Sequence, residues 1–452
     1  MSSGRPYRSS LFAGLLLILL GVIFFVDRMY PSFGIGHLIR VYWPVLLIVW
    51  GVTKLFDRLS SRGQGQAAPA LLSGGEAVLL VLIAIVLGAF AFGDWAHQRF
   101  PDINIDLPSL HDDYSKSIPL PPETLQPGAR VAIATGRGDV TVHAGDGDTI
   151  LITAKKSGPG PSEDSALERM KDVDIEMEPQ GNGVLIHPIH TDRAPAGVSV
   201  DIDVRVPKTS PVSIDAAHGD VSVSGISAPV EIRAGNGDVA VHDAGSDVTV
   251  QSGHGDVKVA GARGDLRLSG RGDDVDISNI GGNASIEGAF SGSIAANNVG
   301  QTFYCATQFS ELTVSQLRGR LAMDSGDVSI SDAGGDAKIV TRDKDVKAER
   351  VAGQLNIVDS HGDIAIHYDK PPRSDLIVSN ESADISLTLP SNSSFVLSAL
   401  SRGGEVDSDF SGPALRPVSD ENQQQLEGQF GSGGPKISLA TTYGTIHIGK
   451  TH

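Results

Sequence analysis

Cysteine is almost missing from this chain: Cys305 is the one thiol in 452 residues. An intramolecular disulfide and a cysteine-built zinc site are therefore excluded. Aromatic residues make up only 5%, too few for a large aromatic core. Basic charge is also short, with 36 Lys and Arg against 54 Asp and Glu and a formal net charge of -18. Proteins that grip a phosphate backbone carry a basic patch or stripe, so nucleic acid is excluded as a partner. Acidity of this kind keeps a surface soluble. No nucleophile elbow, phosphate loop or His-Glu-x-x-His motif occurs. No catalytic, cofactor-binding or metal-ligating residue is assigned, and no cofactor is expected.

Glycine, by contrast, is abundant at 53 residues, and one unit returns every nine residues. It runs Val212-Ser-Ile214, Val221-Ser-Val223, Val230-Glu-Ile232, Val239-Ala-Val241, Val248-Thr-Val250, Val257-Lys-Val259, Leu266-Arg-Leu268 and Val275-Asp-Ile277. Every second unit is led by Gly219-Asp220, Gly237-Asp238, Gly255-Asp256 or Asp273-Asp274, so the full period is eighteen residues. Self-similarity at a fixed period points to a repeat architecture. Alternation turns Val221 and Val223 to one face and Ser222 to the other. The predicted fold of the soluble part is all-β, a parallel β-helix or β-solenoid with nine-residue half-coils, occupying 211–370. Its valines stack on the valines of the next coil. By this register Phe303 and Cys305 point inward, Cys305 as a small buried hydrophobe.

The first hundred residues differ. Apolar stretches at about 9–26, 38–56 and 77–93 predict three transmembrane helices within 1–95, preceding the β part. Arg5 and Arg8 before the first span and Lys54, Arg58 and Arg62 before the third put the N-terminus in the cytoplasm. The expected localisation is a multi-pass cell-membrane protein with an extracytoplasmic C-terminal domain. The run from Leu11 to Phe25, followed by Tyr42-Trp43-Pro44 and on to Val52, resembles the hydrophobic hairpin of the Lia-type envelope-stress membrane proteins. Prolines between Pro101 and Pro127 predict a stalk over 96–128. A β-rich part with one short helix, Ser162 to Val173, is expected over 129–210, with Ser162 as N-cap and Leu167 and Met170 as the apolar stripe. Over 371–452 wider strand spacing predicts a cap, interrupted by a polar loop at 408–435.

Val200-Asp-Ile202-Asp-Val204-Arg-Val206-Pro207, with His218-Gly219-Asp220-Val221, Asn236-Gly237-Asp238-Val239 and His254-Gly255-Asp256-Val257, resembles the bacterial candidate-adhesin domain of unknown function with toast-rack β-strand repeats. Gly433-Gly434-Pro435-Lys-Ile437-Ser-Leu439 and Tyr443-Gly444-Thr-Ile446-His-Ile448 are similar to its closing strands. The resemblance implies a β-helical extracytoplasmic module with no assigned activity.

Several patterns invite sharper readings. Asp220, Asp238, Asp256 and Asp274 line one corner, where a carboxylate ladder could bind calcium or cap turns by accepting backbone N–H groups. Asp directly precedes the strand valine, unlike the calcium-binding nonapeptide pattern, which favours capping. Arg-Gly-Asp triplets at Arg137, Arg263 and Arg271 follow from the Gly-Asp turn. His218 and His254 stand two coils apart, roughly 10 Å, too far to share a metal. The expected function is a non-catalytic envelope protein displaying its solenoid for binding, assembly or envelope-stress sensing. The alternatives are a calcium-dependent surface adhesin and a glycan-active β-helical enzyme. Expected partners are the membrane and a protein or envelope glycan, with self-association open. The irregular patch Gly288 to Arg320 and the dispensable loop Ser408 to Pro435 are the places expected to meet a partner.

Overall fold

The computed structural model describes residues 112–160, 162–190, 197–420 and 423–451. The repeats lie in one compact unit, Ser115–Gly158 with Leu167–His452.

Its core is a two-faced stack. On one face Val212, Val230, Val248, Leu266, Ala284 and Phe303 are successive parallel partners, and on the other Val221, Val239, Val257, Val275 and Ile294. Each rung lies about 4.8 Å from the next. These side chains are all buried. The partner of a strand is therefore the strand one period away, which explains why the sequence period equals the coil.

The stack is not parallel throughout. Ile294–Ala306 and Glu311–Met323 form an antiparallel pair that runs across both faces, Phe303 opposite Val314 and Ile294 opposite Met323. Glu311–Met323 then pairs antiparallel with Asp327–Ser331 and Ala337–Val340, after which parallel stacking resumes. One coil of reversed direction thus sits mid-stack. Its strands keep the apolar alternation, with Phe303, Cys305, Leu312, Val314, Leu317 and Leu321 all buried. The irregularity expected to mark a partner surface at Gly288 to Arg320 is this reversal.

At each end the chain doubles back. Val131–Thr135 and Val140–Gly145 form the first coil, but Gly183–His190 and Ser199–Pro207 pair on its outer side. Val173–Gln180 and Thr149–Gly160 add antiparallel strands beyond those. At the other end Lys436–Thr441 and Ile446–Thr451 slot between Leu376–Ser379 or Ile385–Pro390 on one side and Phe395–Ser401 or Val406–Ser408 on the other.

Three expectations are corrected. Among the described residues no helix is long and apolar enough to cross a membrane. The described helix, Glu163–Met170, has eight residues, about 12 Å against a bilayer core of about 30 Å. The α-helical transmembrane part of the expected fold class is therefore unsupported, and what is described is all-β with one short helix. The spans expected at 9–26, 38–56 and 77–93 lie outside the described residues. In that helix Ser162 Oγ accepts the Ser165 N–H, as an N-cap should, but Ala166 and Met170 are buried and Leu167 only half-buried.

Second, the stretch expected as a stalk contains strand Asp112–Pro119, and Glu123–Thr124 pairs with Thr149 and Ile150. Leu125 is buried there, and Pro121, Pro122 and Pro127 fall between short strands rather than forming a free spacer.

Third, the expected polar loop 408–435 is a capping hairpin. Leu415–Asp420 pairs with Gln423–Phe430, which pairs with Phe395–Ser401. Phe410 and Phe430 pack on buried Phe395, with ring centroids 5.2 and 5.6 Å from it. The segment covers the end of the core, where an exposed loop was expected.

Candidate functional site

The recurrent polar residues stand at the corners of the coil, and their geometry shows what each does. Each N–H of Asp238, Asp256 and Asp274 donates to Oδ1 of the Asp one coil earlier, at 2.9, 2.9 and 3.0 Å. The ladder extends to residues missed in the repeat, Asp139 and Asp201, and ends where Ser293 donates to Asp274 at 2.6 Å. The Gly138-Asp139 step inside the Arg137 triplet was its signal. A second ladder runs from Asp247 through Asp265 to Asn283 at the opposite corner. One carboxylate oxygen per rung is thus engaged by backbone, the geometry of turn capping.

Glycine beside the ladder is required by stacking. A Cβ on Gly237 would lie 2.2 Å from the Gly219 carbonyl oxygen, and one on Gly219 would lie 2.3 Å from that of Gly138. In the Arg-Gly-Asp triplet at Arg137 a Cβ on Gly138 would lie 2.2 Å from the Val200 carbonyl oxygen, so that glycine too is set by the strand stacked against it. His218 packs at the same corner, its Nδ1 3.3 Å from the Gly136 carbonyl oxygen, with Asn236 on the next rung.

A further column escaped the sequence reading. Asp243, Asn279 and Asn298 adopt left-handed φ of 53°, 56° and 54°, alternating with Gly225 and Gly261. Asn and Asp tolerate that conformation better than other residues with side chains, so Gly/Asp/Gly/Asn/Asn at the coil period was a legible signal. Arg350 occupies the left-handed region as well, and its guanidinium makes a two-pronged contact with Asp332, 2.6 and 3.0 Å. That contact holds the Asp332 carboxyl below the usual carboxylate range.

Inside another corner lies a buried polar column: Ser310, Thr341, Asp359, Asn380, Thr441 and Ser401. Asn380 Nδ2 donates to the Gly362 carbonyl at 2.8 Å, and Ser401 Oγ to the Gly444 carbonyl at 2.7 Å. Asp359 Oδ2 accepts the Gly362 N–H while Oδ1 has no partner, and burial raises its pKa. Cys305 sits within the core, its thiol pushed up to about 12 by burial.

An open recess of about 600 Å³ is lined by Ser293, Arg320, Asp324, Asp327, Asp345 and Lys347 among others. Asp324 there is held below the usual range by the N–H groups of Asp327 and Gly326, each 2.8 Å away. A glycosidase's general acid needs a raised pKa beside a second carboxylate. Asp359, whose pKa burial raises, is walled into the polar column.

Two adjoining segments, 129–266 and 266–449, match the model of one family, Toastrack DUF4097, over well more than half of the chain. The chain belongs to the Toastrack DUF4097 family. The two Toastrack matches meet at Leu266, inside unbroken parallel stacking, whereas the reversal of direction comes later, at the turn before Glu311. No curated protein matches the chain. Among solved structures it is similar to a candidate cell adhesion protein from Clostridium sporogenes ATCC 15579, at 9% identity and a TM-score of 0.16, covering 75% of this chain and 100% of that one. It is also similar to a candidate adhesin from Bacteroides fragilis NCTC 9343, at 11% identity and a TM-score of 0.19, covering 74% and 97%.

Proposed function

We propose that this Toastrack protein is a non-catalytic, adhesin-like binding module of the bacterial cell envelope. The observation behind this reading is where its polar chemistry goes. The Asp, Asn and Gly that recur are engaged in stacking one turn on the next. What remains organised is the outward side chains, which stand in straight rows such as Ser213, Glu231, Thr249, Arg267, Ser285 and Tyr304. A row with a rung every 4.8 Å or so, of alternating charge and hydroxyl, suits an extended partner, a protein or an envelope glycan.

The test is cosedimentation of the full chain with isolated cell envelopes. Changing Glu231 and Arg267 together to alanine should lower binding several-fold and leave the melting temperature unchanged, since both face solvent. Release of new sugar reducing ends from the envelopes would point to the glycan-active enzyme instead.

A further inference from the structure

Three side chains on the hairpin next to the first coil converge without taking part in any stacking ladder. Its strands, Val173–Gln180 and Gly183–His190, are antiparallel, with Glu176 directly opposite His187 and Glu178 opposite Leu185. Alternation turns Val173, Ile175, Val184 and Ile186 into the core and leaves Glu176, Glu178 and His187 together on the other face. A carboxylate oxygen from each Glu and a ring nitrogen of His187 all lie within 4.8 Å of one another. No other such trio of His, Cys, Asp or Glu occurs among the described residues.

The histidine supplies an independent observation. His187 Nε2 is closed to solvent and has no hydrogen-bond partner. The nearest carboxylate oxygen, Glu178 Oε2, is 3.8 Å away, beyond hydrogen-bonding reach. A desolvated ring nitrogen left unsatisfied is costly. Two ligands on one tetrahedral ion, with bonds of about 2.0–2.2 Å, stand about 3.4 Å apart, so an ion between these atoms satisfies both after small side-chain rotations. The other histidine–carboxylate pairs among the described residues differ. His361 with Asp343, His367 with Asp369 and His447 with Asp407 are already at 2.8, 2.8 and 3.1 Å, each with a single carboxylate.

We propose that Glu176, Glu178 and His187 form a site for a divalent transition-metal ion of the zinc class. Imidazole with carboxylates suits such ions, whereas calcium and magnesium take oxygen ligands. Three protein ligands leave one position for water or for a group on a partner. The ion would tie Val173–Gln180, which pairs only with Gly183–His190 among the described strands, to its neighbour. The site stands whether or not the adhesin-like reading does, since it rests on these three residues alone.

The experiment is calorimetric titration of zinc chloride into the full chain after chelator treatment, with thermal melting alongside. One Zn²⁺ per chain should bind and raise the melting temperature. His187→Ala and Glu178→Gln should each weaken binding about tenfold or more. His361→Ala and His447→Ala should leave it unchanged, and excess Mg²⁺ or Ca²⁺ should not compete. Metal-free variants that melt with the metal-free wild type exclude unfolding as the cause of a loss. Wild-type zinc affinity in His187→Ala, or no zinc-dependent shift of the wild type, overturns the site.

Discussion

Cys305 lies directly opposite Leu312 across the antiparallel pair and opposite Ile286 across a parallel one, so its rung is where the stack changes direction. Its thiol is fully enclosed, and burial pushes its pKa up to about 12. The native protein should therefore not react with a thiol reagent at pH 8 over hours, because the thiolate is both scarce and inaccessible. Denaturant should release one thiol per chain in step with unfolding. Prompt labelling of the native chain would show that the reversal opens on its own.

The glycine column makes a prediction with a built-in control. Gly237→Ala drives a Cβ to 2.2 Å from the Gly219 carbonyl oxygen at a φ of 137°. Gly147→Ala also sits at positive φ, 83°, but meets nothing within 4 Å. The exposed site should cost about 1 kcal/mol, and the stacked one about 3 kcal/mol or more. Equal losses in denaturant unfolding would mean the turns do not touch.

At the capping hairpin, Phe410→Ala should cost roughly 3 kcal/mol, because Phe410 fills the space over buried Phe395 and lies under Lys450, whose Nζ is 4.9 Å from its ring centre. Val418→Ala, at an exposed position on the same hairpin, should stay within about 0.5 kcal/mol of wild type. The reverse order of effects would restore the dispensable loop.

Asp359 gives a pH signature. Its native pKa is raised by burial above that of the unfolded chain. The folded state therefore holds the proton more tightly, and stability falls as pH rises from the ordinary carboxylate value, about 3.9, through the raised native one. Asp359→Asn keeps an acceptor for the Gly362 N–H and removes the charge. The variant should melt a few degrees above wild type at pH 7, and the difference should vanish near pH 3. Asp324, Asp332 and Glu349, whose pKa values are lowered, give the opposite slope, lost as pH falls, in both proteins alike. A difference that is the same at both pH values would rule out buried ionisation at Asp359.

How much of this was legible depended on whether the pairing was periodic. Val239 finds Val221 and Val257 because partners are one repeat away, so the spacing that named the strands also named their neighbours. Asp238 was readable as a turn cap for the same reason. The reversal was hidden, since Leu312-Thr-Val314 alternates in the same way whether it runs with or against Phe303-Tyr-Cys305. Phe410 was hidden by its polar surroundings. The Glu176, Glu178 and His187 cluster could not be read either, because it depends on the register of one hairpin that carries no repeat.

The coil formed by 436–451 lies between coils that precede it in sequence. It acts as a keystone. As the polypeptide emerges, 395–408 is made before the piece that separates it from 376–390, so until then it has only the hairpin strand Gln423–Phe430 to pair with, or docks in a slot it later has to leave. Assembly at this end thus has a compulsory order, and the step that closes it seals the stack from within rather than adding to its rim.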